Sequence, residues 1–282
     1  MFARVPASSA NLGPGFDALA VALNLYVEVS VDAADEFEIT TSGVGAGLYD
    51  DESHLAARIV ADVLGTTHFQ LHVHSEIPLS RGLGSSAALA LAAAAAAGAN
   101  DPLTIATAAD GHAENAAASM IGGLVVASVN ESDGVLARSL ELDPAWRFVI
   151  VLPEMQLATA DARRVLPAEV PFTDAVANLS SLGLLVAGLA HHGDFVPLAM
   201  SDRLHQPYRM ALVPFAQSLL ATLREAGAAG SCWSGAGSAM LGLATEATAP
   251  SVASAAREFM DRESVAATVV ILEADRTGLV TR

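Results

Sequence analysis

The chain contains no lysine: all 14 of its basic residues are arginine, set against 31 acidic residues. Whole enzyme classes go with that amine. A phosphate loop of the G-x-x-x-x-G-K type, the strand lysine of protein kinases and a Schiff-base nucleophile all require it. Cysteine is nearly as scarce. Cys232 stands alone, which excludes an internal disulfide, a CxxC redox pair and a zinc site built on several thiolates. A reducing, cytoplasmic location fits that usage. The formal net charge of -17 also argues against nucleic acid as a partner, since such binding draws on cationic neutralisation of phosphates. No basic stretch followed by an apolar core opens the sequence, so no secretory signal is visible. The longest apolar run, 87–99, is too short and too alanine-rich for a bilayer, and a soluble chain without a membrane partner is expected.

What is present is a globular composition. With 282 residues, 52% hydrophobic and 16% charged, the chain suffices for one large or two small domains. Alternating residues at 26–31 and 69–74 predict half-buried strands, and apolar runs at 124–129 and 148–152 predict buried ones. Helices are expected over 53–64 with caps from 50–53, over 86–97 with Ser85 or Ser86 as cap, and over 103–118. Further helices are expected at 174–190, 214–226 and 251–260, with strands at 239–243 and 267–272. Strands mixed with helices in both halves suggest two α+β domains, 1–153 and 154–282, meeting near Pro153.

Three glycine-rich segments carry the chemistry. The central one is Pro78, Leu79, Ser80, Arg81, Gly82, Leu83, Gly84, Ser85, Ser86, Ala87 and Ala88. It follows a strand and opens a helix. Glycines at 82 and 84 let successive backbone N–H groups curl around one anion, with the positive end of the helix dipole behind them. The serine hydroxyls suit a phosphate oxygen or a magnesium ion. An ordinary capped helix after a turn is the plain alternative. The first segment, 6–17, ends in Gly13-Pro14-Gly15 and reads as a tight loop carrying Asn11 and Asp17. The third, Ser234, Gly235, Ala236, Gly237 and Ser238, reads as a turn between two apolar strands.

Together these segments resemble the GHMP kinase superfamily, and the loop PASSANLGPGFD is similar to that of its homoserine kinases. The segments at 159–163 and 205–209 match homoserine kinases as well. The resemblance implies an N-terminal α+β domain with a left-handed βαβ unit and a ferredoxin-like C-terminal domain. It implies transfer of the ATP γ-phosphoryl to the L-homoserine hydroxyl, serving threonine biosynthesis, with homodimers common in the family. It assigns 78–88 to the ATP phosphates, 234–237 to a glycine loop, and magnesium to Ser86 and Asp110. Asn11, Asp17, His112, Arg163 and Arg209 become substrate-binding residues, the arginines for the α-carboxylate and Asp17 for the ammonium. Asn115, Thr159 and Arg163 fall at the transfer itself, although Thr159 also suits an N-cap for a helix from Ala160.

Three residues depart from the family's pattern. Asp110 stands where glutamate is usual, Glu114 where aspartate is, and Ser238 where proline is, the last leaving a more mobile glycine loop expected. An amide at 115 cannot take a proton, so the implied mechanism has no strong general base. His72 and His74 have metal-like spacing but no acidic or thiol partners, and read as strand surface. The competing functions are another GHMP kinase acting on a different alcohol, and a non-catalytic member that binds ATP or an amino acid.

Overall fold

The computed structural model describes residues 1–130, 132 and 134–282. The first sheet is built from β1 (Phe2–Ala10), β2 (Leu19–Ala33), β3 (Glu38–Gly43), β4 (Phe69–Ser75), β5 (Leu124–Asn130) and β6 (Gly134–Leu140), with helices α1 (Leu55–Leu64), α2 (Ser85–Ala96), α3 (Pro102–Asp110) and α4 (Ala113–Ile121). The second sheet is built from β7 (Trp146–Pro153), β8 (Gly230–Trp233), β9 (Met240–Thr245) and β10 (Ala267–Leu272). Between β7 and β8 run α5 (Thr159–Arg164), α6 (Phe172–Ala190), α7 (Gln206–Arg209) and α8 (Ala216–Glu225); α9 (Ala249–Arg262) joins β9 to β10, and β11 (Val280–Thr281) ends the chain.

The first sheet runs β11-β1-β2-β4-β3, with β5 pairing the start of β2 and β6 pairing β5. Among the described strands, β3 and β4 make the one parallel pair, joined across α1 as a βαβ unit. The second sheet is antiparallel in the order β10-β7-β9-β8. Numbering these four strands along the chain gives 4-1-3-2, with helices inside the first and last connections, which is the ferredoxin-like arrangement. The chain changes sheet between Leu140 and Trp146, ahead of Pro153, and β11 returns to pair with β1.

The two sheets share apolar packing. Alternate residues of the second sheet divide between its faces. Val149, Val151, Met240 and Val269 meet α8 and α9, whereas Phe148, Ile150, Leu241 and Leu272 join the large cluster that also holds β1, β2 and α2. At the centre of that cluster α2 carries eight alanines among its twelve residues, since it is packed on most sides. It packs against β1, β2, α1, α3 and α4, and Ala90, Ala92, Ala93 and Ala94 are all fully buried.

Several local expectations are corrected. β1 continues through Ala10, so the residues read as a loop from Pro6 are partly strand; their small side chains fit a position that buries Ser8 and Ser9 completely. The helix expected over 103–118 is two helices. Gly111, at φ 79, ends α3 in the left-handed region, and extended His112 starts α4. α1 is capped by His54, whose Nδ1 accepts from the Ala56 amide, rather than by 50–53. α2 is preceded by Gly84, with no side-chain cap from either serine. α6 is long and apolar enough to cross a membrane by length and composition. Its buried Asn178 donates to the Pro14 carbonyl at 2.8 Å, which anchors the first glycine segment.

The enclosed position of α2 gives a direct test. Ala93→Leu should destabilise the protein by about 1–3 kcal/mol through overpacking, read as a lower urea midpoint at unchanged slope.

Candidate active site

The three glycine segments meet at the edge of one cavity of about 710 Å³, counting the part open to solvent. Their meeting needs bare backbone. A Cβ on Gly82 would collide with the Ser234 carbonyl, and one on Gly84 with the Ser8 hydroxyl. Both glycines also have positive φ, at 76° and 64°. Polar bonds tie the same strands together. The Ser234 Oγ donates to the Gly82 carbonyl at 2.6 Å and pairs with Ser9 Oγ at 2.8 Å. The Gly235 amide donates to the Ala10 carbonyl, and its own carbonyl accepts from Asn11 Nδ2 at 2.8 Å and from Arg209 Nη1 at 3.3 Å. The Gly237–Ser238 peptide is cis.

With no side-chain cap, the amides of Ser85, Ser86 and Ala87 face the opening of α2 without a partner among the described residues. Six of the proposed residues around 78–88 and the glycine loop do not line the cavity. Leu83, Ala87 and Ala88 are core, Ser234 braces the loop, Leu79 lines a neighbouring recess, and Pro78 lies aside. That recess is apolar, bounded by Val27, Val44, Leu48, Tyr49, Leu55 and Leu79, and shares Ser85 and Ser86 with the main cavity.

The break at Gly111 brings Asp110, His112, Glu114 and Asn115 to the cavity wall. Asn115 Oδ1 accepts from Ser8 Oγ at 2.8 Å, which leaves its NH₂ as the group available to a ligand. His112 Nδ1 donates to the Asp110 backbone oxygen at 2.8 Å and its carboxylate at 3.2 Å. Its Nε2 accepts from Arg163 Nε at 3.2 Å. The Asp110 bond holds the imidazole above its ordinary value, against burial and the Arg163 charge. Glu114, only 3% exposed, is also raised, chiefly by desolvation.

Arg163 and Asp17, which the family resemblance assigns to opposite ends of a substrate, grip each other here. Nη1 and Nη2 donate to the two carboxylate oxygens at 3.0 and 2.6 Å. Both side chains are more than a third exposed, so this pair is weak enough to exchange partners. Arg209 is fully enclosed. It donates to the Ala162 carbonyl at 3.2 Å and to His205 Nδ1 at 3.0 Å, while burial and Arg163 push it down to about 10, still cationic at neutral pH. Phe16 stacks on His205 at 4.9 Å and lies 5.3 Å from the Arg209 guanidinium carbon.

Thr159 is the first residue of α5 after an Ala158 cap, not the cap itself, and it lines the cavity. Ser238 is fully buried and donates to the Met155 carbonyl at 2.5 Å, so the loop expected to be mobile there is pinned. His72 and His74 lie on the exposed face of β4, and His74 Nδ1 pairs with Ser42 Oγ. Ser8, Phe16 and His205 support the site although the sequence assigns them no roles; all three lie inside motif segments, Ser8 and Phe16 in 6–17 and His205 in 205–209.

The donor set suits a hard cation. Ser86 hydroxyl and Asp110 carboxylate are oxygen donors on one cavity, and no cluster of three or more His, Cys, Asp or Glu side chains suited to a metal occurs among the described residues. A magnesium ion that draws its remaining ligands from phosphates and water needs no more than this.

Two family models match the chain, the GHMP kinases N terminal domain over residues 53–129 and the GHMP kinases C terminal over residues 185–262. The sequence is 39% identical to homoserine kinase of Moorella thermoacetica over 249 residues, spanning 83% of this chain and 84% of the relative. It is 35% identical to that of Desulfitobacterium hafniense, spanning 98% and 97%. Among solved structures, homoserine kinase from Cytophaga hutchinsonii superposes with a TM-score of 0.85 at 28% identity, covering 99% of this chain and 96% of that one. Mevalonate kinase of L. major, at 12% identity and a TM-score of 0.69 over 98% and 95%, shares the fold.

His205 provides a pH test. Burial lowers its folded value below the ordinary 6.5, and Arg209 donating to Nδ1 requires the neutral ring. The unfolded chain therefore binds the extra proton first, so this contribution is complete above pH 6.5 and falls away below it. His112, raised, has the opposite sign: it stabilises at low pH and loses that as pH rises through its folded value. Urea unfolding should show the stability advantage of the parent over His205→Asn shrinking from pH 7 to pH 5, and that over His112→Asn growing.

Proposed function

The chain belongs to the homoserine kinases of the GHMP kinase family, and on that premise we infer that it moves the ATP γ-phosphoryl to the side-chain hydroxyl of L-homoserine, giving O-phospho-L-homoserine for threonine biosynthesis. The reading is carried by one cavity that joins a bare backbone cradle, suited to phosphates, to a buried arginine, suited to a carboxylate. The N–H groups of Ser85, Ser86 and Ala87 hold the phosphate oxygens, with Arg81 beside them. The apolar recess next to Ser85 and Ser86 takes the nucleoside. Ser86 and Asp110 hold magnesium, which neutralises phosphate charge when bound.

Arg209, with its orientation fixed by Ala162 and Gly235, receives the homoserine α-carboxylate, and Arg163 joins it as the Asp17 pair opens. The ammonium faces the cavity's carboxylates. Asn115, its amide turned by Ser8, donates to the attacking hydroxyl oxygen and cannot accept its proton. The proton then leaves to a phosphate oxygen as the new O–P bond forms and the bond from Pγ to the β–γ bridging oxygen breaks to release ADP, with Thr159 steadying the transferred group. A cytoplasmic location fits the single, buried thiol.

ADP release from Mg-ATP tests the substrate. L-homoserine should stimulate it, and mevalonate, L-serine and galactose should not. Arg209→Lys, which keeps the charge and loses the fork, should raise the homoserine KM about tenfold or more with little change for ATP. Turnover of another alcohol alone would keep the fold and overturn the substrate.

A further inference from the structure

α6 is the longest helix among the described residues, and its two sides are unlike. The inward side is tied down. Ser181, Leu185 and Leu189 are buried, and Asn178 donates to the Pro14 carbonyl and accepts from the Arg203 amide. The exposed positions 172, 173, 176, 179, 180, 183, 184 and 187 fall within an arc of about 140° at 3.6 residues per turn. None of them is charged. Phe172 is 83% exposed and Leu179 69%, with Val176 and Leu184 on the same stripe. The helix has one ionic residue, Asp174, and Arg203 pairs with it at 3.0 Å. A surface helix ordinarily turns its charged residues outward. Here, in a chain of net charge -17, the outward stripe is apolar.

Gly183 lies within that stripe. Glycine inside a helix is destabilising relative to alanine, so its presence calls for a reason. Gly188, on the inward side, has one: a Cβ there would meet the Phe195 backbone at 2.9 Å. Gly183 has no such reason within the chain, since a Cβ would meet nothing within 4 Å among the described residues. A backbone left bare on the outside lets a second helix come close.

Charge decides the occupant. Two copies that each carry -17 repel, and they can meet only where neither presents charge, as on this face. A lipid surface fits less well, because helices that lie on one carry Lys or Arg along their polar side and α6 has neither. The size is adequate. At 1.5 Å per residue the helix is about 28 Å long. Leu198, in the 197–200 turn packed against α6, adds apolar surface at 61% exposure. Two such patches laid together would bury on the order of 1,000 Å², where specific interfaces begin.

We propose that the outer face of α6 is the contact between two copies of this chain, related by a two-fold axis near Gly183, so that the helices cross where a side chain is missing. A two-fold lets one self-complementary patch serve both copies. The proposal is independent of the substrate reading.

Sedimentation velocity over the micromolar range tests it. The parent should sediment as a dimer, and Leu179→Glu should weaken association about thirtyfold or more. Gly183→Leu separates a close crossing from a merely adhesive surface. It adds apolar area at a position that is open within the chain, so an unspecific patch would associate more, whereas a crossing at 183 should associate about tenfold less or weaker still. Far-UV circular dichroism should match the parent in both variants, since both positions face outward; Val176→Arg repeats the charge test should Leu179→Glu alter the spectrum. A monomeric parent, a dimer indifferent to the charges at 176 and 179, or association unchanged or strengthened by Gly183→Leu would each overturn the proposal. So would flotation of the parent with phosphatidylcholine–phosphatidylglycerol vesicles that Leu179→Glu abolishes, which would assign the face to a membrane.

Discussion

The approach of bare backbone at Gly82, Gly84 and Gly235 is the constraint on which the rest of the site depends. Gly82 sits against the Ser234 carbonyl, Gly84 against the Ser8 hydroxyl, and Gly235 is bonded to both Ala10 and Asn11. These contacts join the start of α2, the end of β1 and the β8–β9 loop, elements from both sheets. Because the loop from the second sheet closes on the cradle of the first, Arg209 and the open amides of α2 border one cavity. The apolar cluster beneath draws residues from both sheets. In this fold the division between domains is a change of sheet rather than a change of core.

Charge is organised around the same point. Without lysine, every fixed cation is a guanidinium, and the site uses them in two ways. Arg209 is locked by backbone carbonyls and His205, whereas Arg163 is held by an exposed pairing with Asp17 that a ligand can replace. The locked arginine gives direction and the exchangeable one gives entry. A chain with net charge -17 repels ATP at long range, so capture must rest on this local positive potential and on backbone dipoles. Phosphoryl transfer depends mostly on positioning and neutralisation, which is the chemistry that such an arrangement supplies.

Part of this was legible in the sequence: glycines between a strand and a helix suit either an anion site or an ordinary capped turn, and the family resemblance favoured the first. The strand–glycine–helix order around Gly82 and Gly84 predicted the cradle, and the alternation at 69–74 and the apolar run at 148–152 predicted their strands. Features set by tertiary contact were not legible. The Pro6–Ala10 end of β1 looks like a loop because its residues are small, and they are small because that strand end is buried beside the cradle. The break at Gly111 hides in an alanine-rich pattern that would equally suit one helix, yet it turns Asp110 and Asn115 toward the cavity. Ser238 in place of proline suggests a looser loop, yet its hydroxyl donates to the Met155 carbonyl and holds it. The mutual grip of Arg163 and Asp17 could not be read from two residues far apart in sequence.

The central claim is that the site is one cavity shared by the cradle and Arg209. A crystal structure with a non-hydrolysable ATP analogue, magnesium and L-homoserine tests it most directly. The account predicts phosphate oxygens on the amides of Ser85, Ser86 and Ala87, and the homoserine carboxylate on Arg209 with its hydroxyl beside Asn115. Phosphates bound away from the start of α2, or an amino acid bound outside the reach of Arg209, would contradict it.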